Sequence, residues 1–187
     1  MKTSPFNVIS IFVLIFFLTS IYPVFGEREV YIAPPYELPP PPKSKVFLVD
    51  HGDGTLSTTK YKRMWVRKDS YADLGRCLNL YEAIEYVKNL KTGGYDDWRL
   101  PALGELAMIY DNTKENVMGW DHDPEYPLAL DERFADGAAY WYWSSNIDET
   151  ELEECCARTF YFVNGMPHVR RFISCENGGV RAVRNIK

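Results

Sequence analysis

A surplus of positive charge is what this chain of 187 residues lacks: 21 Lys and Arg stand against 26 Asp and Glu, for a formal charge of −5. Non-specific nucleic-acid binding needs a basic footprint, so no nucleic-acid partner is expected. Histidine is scarce, with 3 residues far apart in the chain, and no C-x-x-C pair accompanies them. A metal site is therefore the weaker reading of the 4 Cys. No G-x-S-x-G occurs, and neither Ser144 nor Ser145 has a His or an acid at a recognisable spacing. These gaps argue against an enzyme. Beyond residue 26 there is no apolar run long enough to cross a bilayer, and no internal repeat. Disorder of the whole chain is excluded as well, because 46% of the residues are hydrophobic and 25% are charged.

What is present begins with a leader. Lys2 supplies a short positive start and Val8–Leu18 an apolar run, while Val24 and Gly26 precede Glu27 as a cleavage site requires. Residues 1–26 are expected to be a cleaved signal peptide, and the mature chain to be secreted or periplasmic with no transmembrane segment. No Cys lies near the cleavage point, which argues against a lipid anchor. Losing the leader removes one Lys and no acid, so the mature chain is more acidic still. Export makes disulfides the expected state of Cys77, Cys155, Cys156 and Cys175, with three connectivities open. A bridge between adjacent cysteines is strained and ranks last. If Cys155 and Cys156 lie on a strand they point to opposite faces. The expectation is that one of them joins Cys175 and the other Cys77, in an order left open.

Pro34, Pro35 and Pro39 to Pro42 make residues 27–44 an extended, polyproline-like linker. A folded domain is expected over 45–187. Val46 to Val49 and Tyr61 to Val66 read as strands, joined by the Asp-Gly-rich turn 50–55. Asn79 is placed to cap a helix through Leu80, Ala83, Ile84, Val87 and Leu90, which Gly93-Gly94 ends. Pro101 opens a second helix with Leu103, Leu106, Ala107 and Tyr110 inward. Residues 111–137 form a long polar stretch, which in a compact domain is either functional or loosely ordered. Short strands follow at Tyr140 to Ser144, Ala157 to Val163, Val169 to Ile173 and Val180 to Val183, with Asn164-Gly165 as a hairpin turn. The class is α+β, with two helices and short antiparallel strands.

Several groups of residues stand in one order: Asp50-His51-Gly52-Asp53-Gly54-Thr55; Met64-Trp65; Gly94-Tyr95-Asp96-Asp97-Trp98-Arg99-Leu100-Pro101 with Glu105-Leu106; Tyr142-Trp143-Ser144-Ser145; and Val180-Arg181-Ala182-Val183-Arg184. Over roughly residues 46–185 this resembles the Lcl C-terminal domain family, named for the end domain of a bacterial collagen-like adhesin. The resemblance implies a variant of the C-type lectin-like fold. Many members carry a Cys in the first helix and another in the last strand; here those positions are Val87 and Ala182, so this chain's disulfide layout is its own. The naming adhesin is associated with sulfated polysaccharide, which a negative chain is poorly suited to attract. A relative of the fold, the formylglycine-generating enzyme, uses a cysteine-based copper site; Cys155-Cys156 is the candidate here, and only if its thiols are free.

Most shared residues read as structure. Trp98 is expected in the core, and Arg99 beside Glu105 as a buried ion pair. Asp50 and Asp53 suggest part of a calcium loop, but the twelfth position is Tyr61 instead of a Glu, so a hairpin turn is the reading. The tripeptides of mannose-type calcium lectins are absent, and Trp143, Asn146 and Asp148 only loosely echo one of them. Arg158, His168, Arg170, Arg171, Arg181 and Arg184 suggest a basic strip, with Arg170 and Arg171 split by strand alternation. The acidic run from Asp148 through Glu154 reads as a solvated edge. The loop holding Trp120, Asp121, Asp123, Glu125 and Tyr126 joins carboxylates to aromatics, a set suited to sugar stacking and hydrogen bonding, with calcium as a possible addition. The expectation is an exported, non-enzymatic binding module that contacts a glycan or a protein surface at the bacterial cell envelope through these residues and needs no cofactor. The alternative is a structural or oligomerisation component of an envelope or appendage assembly.

Overall fold

A computed structural model describes residues 46–58, 60–148 and 155–187. The expected signal peptide, the Pro-rich linker and most of the acidic run after Asp148 lie outside the described residues. The described residues form two four-stranded sheets with three α-helices, an α+β arrangement. The first sheet contains β1 (Leu48–Asp50), β2 (Thr55–Thr58), β3 (Arg63–Val66) and β8 (Val183–Asn185), in that spatial order and antiparallel throughout. The second runs β6 (Met166–Arg171), β5 (Cys156–Tyr161), β4 (Trp141–Asp148) and β7 (Gly178–Gly179). Its pairs are antiparallel except β4 with β7, which is parallel.

The turn residues act as their chemistry dictates. Asp50 accepts from the Gly52 amide at 2.8 Å, and Asp53 accepts from the Thr55 amide and hydroxyl at 3.0 and 2.6 Å. These side chains close the hairpin locally, so the turn reading holds. Beyond the turn the chain continues directly as β2, a strand that the sequence pattern does not show and that is buried on both faces.

Helix α2 (Leu80–Asn89) has the expected Asn79 cap, completed by Glu82 reaching back to the Asn79 amide at 3.0 Å. Its buried face is Leu80, Ala83 and Val87, while Ile84 stays exposed. Helix α3 (Leu103–Ile109) buries Leu103, Leu106 and Ile109; Ala107 and Tyr110 are only partly covered. Its cap residue, Ala102, has no side-chain acceptor, and Asn146 of β4 supplies one by accepting from the Leu103 amide at 2.8 Å. A third helix, α1 (Ser70–Leu74), adds to the two that the pattern predicts. Five residues give too little periodicity to register; the helix rests on the Asp69 cap and a left-handed Gly75 at φ 67°.

The structure divides the expected strand Val180 to Val183. Gly178–Gly179 pairs in the second sheet, the chain crosses, and Val183–Asn185 pairs in the first. At the crossing the Arg181 side chain is fully buried. Gly178 is obligatory, because a Cβ there would stand 2.1 Å from the Trp141 ring.

The cysteine pairing corrects the expectation. Cys77 joins Cys175, with Cα atoms 5.4 Å apart, and Cys155 joins Cys156. No free cysteine remains. The expectation needed both members of the pair on a strand, but β5 begins at Cys156 and leaves Cys155 outside it. Backbone bonds from Leu78 to Gly178 (3.2 Å) and from Gly178 to Cys175 (2.7 Å) already hold Cys77 and Cys175 together. Among the described residues no helix is long and apolar enough to cross a membrane.

Candidate functional site

The long stretch 111–137 is irregular but anchored. Backbone bridges tie Val117 to Leu128 and Gly119 to Ala138, and Val117, Leu128, Leu130 and Phe134 are buried beneath it. From this base the 120–126 segment projects. Trp120 is 39% exposed and stacks on Tyr71 at 5.4 Å with its rings 22° from parallel; Tyr126 is 48% exposed. Large rings at such exposure, held by a rigid base, have contact area to offer.

The carboxylates of the segment do different work. Asp121 accepts from the Tyr140 hydroxyl at 2.6 Å, fixing the loop to the second sheet. Asp123 accepts from the Glu125 amide at 2.9 Å, a local turn bond. Glu125 is exposed. Among the described residues no group of three or more His, Cys, Asp and Glu is placed to hold a metal ion.

Tyr140, itself buried, links the loop to the second sheet. Burial and the Asp121 carboxylate push its phenol pKa up. Its ring lies 6.3 Å from that of Tyr161, which lies 6.1 Å from His168. Burial raises the Tyr161 phenol, and Tyr126 and Asp121 add to this while Arg170 opposes it, which places all three within its electrostatic reach. Beside Tyr161 opens a shallow groove of about 390 Å³. Its walls include His168, Arg170, Asn164, Glu176 and Asn177. Register explains the grouping: Tyr161 faces Met166, Thr159 faces His168 and Ala157 faces Arg170, so alternate residues of β6 share one face. Arg170 lies over the Trp141 ring at 4.3 Å, and its buried Nε has no hydrogen-bond partner. Burial and then Arg170 push the His168 pKa below its ordinary value, which favours the neutral imidazole.

Sequence reasoning found the loop half of this face and missed the strand half. The signal was available: the Asn164-Gly165 turn and strand alternation together place 166, 168 and 170 side by side. The expected basic strip does not form. Arg181 is buried, and Arg184 belongs to the first sheet, where it binds Asp97 at 2.5 and 3.1 Å and covers Tyr95. Arg170 and Arg171 do split to opposite faces.

The other motif residues build the frame. Arg99 donates to both oxygens of Glu105 at 2.7 and 2.8 Å, and Arg63 binds the same carboxylate. Burial would raise the Glu105 pKa, but bonds from Arg99, the Ala102 amide and Arg63 outweigh it and hold the group at about 2. The Ser144 hydroxyl is buried and donates to the Arg158 carbonyl at 2.7 Å, so it faces no substrate. A second groove, between α1 and α2, has its charges matched internally, with Arg76 on Glu82 at 2.8 Å and Tyr86 on Asp73 at 3.1 Å.

Together these features define a two-sheet α+β domain in which Arg99, Glu105 and Arg181 build the frame and Trp120 and Tyr126 stand exposed on the long loop. The chain belongs to the Lcl C-terminal domain family, whose profile matches residues 54–184, from the first hairpin turn to β8. Membership points to an extracellular binding or adhesin-like module, and the Cys77–Cys175 disulfide is compatible with that location. No curated protein is similar enough to this chain to match it.

Proposed function

We propose that this protein is an exported, non-enzymatic binding module that recognises a glycan or a protein surface at the cell envelope. The observation that carries this reading is the exposure of Trp120 and Tyr126 on an anchored loop, which the Asp121–Tyr140 bond ties to the strand end where the groove at His168 and Arg170 opens. Rings offer a surface for the C–H faces of sugars or for apolar side chains, and the flanking amides and charges fix orientation. The C-type lectin-like ancestry implied by the family resemblance agrees with it. The test is a glycan array on protein produced from the full-length sequence and recovered after export, with and without calcium. Binding independent of calcium is the expected result. A calcium-dependent hit would add a metal to the 120–126 loop, and a blank array with folded protein would turn the reading to a protein ligand.

A second reading, assembly, is favoured by the two outer strands. β1 and β6 each end a sheet, with Val49 and Val169 exposed on them at 43% and 47%. Self-association at micromolar concentration, measured by sedimentation without any ligand, is its signature.

A further inference from the structure

The candidate face has two ends of different character, and their charges decide which ligand fits. At the loop end, Trp120 and Tyr126 stand among Asp121, Asp123 and Glu125, with no Lys or Arg in that run. Lys114 and Arg133, elsewhere in the long loop, are engaged by Glu132 and Asp131 at 2.8 Å each. At the strand end Arg170 shares its groove with Glu176, whose negative charge acts on the guanidinium. Burial and Arg170 disfavour the charged form of His168. The face therefore has no positive surplus. A sulfated polymer would meet acid at one end and a compensated arginine at the other.

The polar groups instead suit hydroxyls. A hydroxyl donates and accepts, and the groove mixes the donor guanidinium of Arg170 with the acceptor Glu176 and the amides of Asn164 and Asn177. Buried Tyr140 binds Asp121 of the loop and lies 6.3 Å from the Tyr161 ring of the groove, and His168 lies 6.1 Å from Tyr161. Trp120 is not among the residues that line the groove, so the ring and the groove are two separate places. Building on the proposed role as a glycan-binding module, on which the ligand's identity depends, we infer that the face takes an uncharged hexose oligosaccharide across two subsites, one stacked on Trp120 and one in the groove of Tyr161, His168 and Arg170.

Calorimetric titration of the exported protein tests this, with glucose, galactose and mannose oligosaccharides of one to four units and a heparin tetrasaccharide as probes. A neutral series should bind and tighten at least about tenfold from one unit to three, with little dependence on salt. Trp120→Ala should abolish that gain and leave single-unit binding intact. Glu176→Ala should weaken single-unit binding by about tenfold or more. Both side chains are exposed, and circular dichroism confirms that each variant is folded. Tighter, salt-sensitive binding of heparin would overturn the neutral ligand and leave glycan recognition standing. Neutral binding without length dependence would overturn the two subsites. Folded protein that binds no sugar would overturn this inference and glycan recognition together.

Discussion

Two regions of the molecule use the same residue types to opposite ends. At the seam between the sheets Arg181 is fully buried. Its terminal nitrogens donate to the Val66 and Arg67 carbonyls at 3.1 and 2.7 Å and to the Tyr142 hydroxyl at 2.8 Å. Asp69 stands 3.7 Å away and also holds the Ala72 and Ala139 amides at 2.8 Å each. On the outer face Arg170 also lies on an aromatic ring, and like Arg181 it keeps a buried Nε without a partner, but it lines an open groove whose Asn164, His168, Glu176 and Asn177 are exposed. A buried polar network with its partners present makes structure rigid and specific; polar groups left open beside exposed rings have capacity for a ligand. The motif residues Glu105 and Arg181 fall in the first class. The residues proposed to bind fall in the second.

If that division is right, the largest stability losses come from the seam. Arg181→Met should cost about 3–5 kcal/mol in chemical denaturation, because Asp69 is left as a buried charge without its partner. A loss under about 1 kcal/mol would show that the seam is not what holds the sheets together. The two disulfides sharpen the same contrast. Cys77–Cys175 spans 98 positions and Cys155–Cys156 spans 1. Replacing the first pair with Ser should cost about 2–5 kcal/mol, since it restores a long loop's freedom to the unfolded chain; replacing the second, which closes no such loop, should cost less than about 1 kcal/mol.

Glu105 gives the next effect, and its direction is fixed. Its folded pKa of about 2 lies below the ordinary 4.5. Its contribution is therefore complete above about pH 4.5 and is lost as pH falls toward 2, on the order of 3 kcal/mol across that window. Denaturation midpoints measured through the window should fall more steeply for the wild type than for Glu105→Gln.

The same division separates the features legible in the sequence from those that are not. The Asn79 cap, the Asp-Gly turn and the Arg99–Glu105 pair are local, so spacing reveals them. The crossing of residues 178–185 between sheets is not legible, because Arg181 finds its acceptors more than a hundred residues away in sequence. The cysteine pairing fails for a one-residue reason: the strand starts at Cys156 and not before it. At the candidate site, the composition of 120–126 exposes the loop half. The strand half, Tyr161, His168 and Arg170, is brought beside it only by sheet register and by the Asp121–Tyr140 bond, neither of which has a local signature.

The smallest stability effect belongs to the exposed rings, and it is the most informative. Tyr126 is 48% exposed, so Tyr126→Ser should change stability by no more than about 0.5 kcal/mol. Trp120 also stacks on Tyr71, which adds a packing contribution, so Trp120→Ala should cost up to about 1 kcal/mol. A residue kept for the frame shows the reverse, a large loss of stability whether or not ligand is present. Near-native denaturation curves with weakened oligosaccharide binding would therefore place both rings on the functional side of the division. If Trp120→Ala instead destabilised the fold by several kcal/mol, the Tyr71–Trp120 stack would belong to the frame, and ligand recognition would have to rest on the groove at Tyr161, His168 and Arg170 alone.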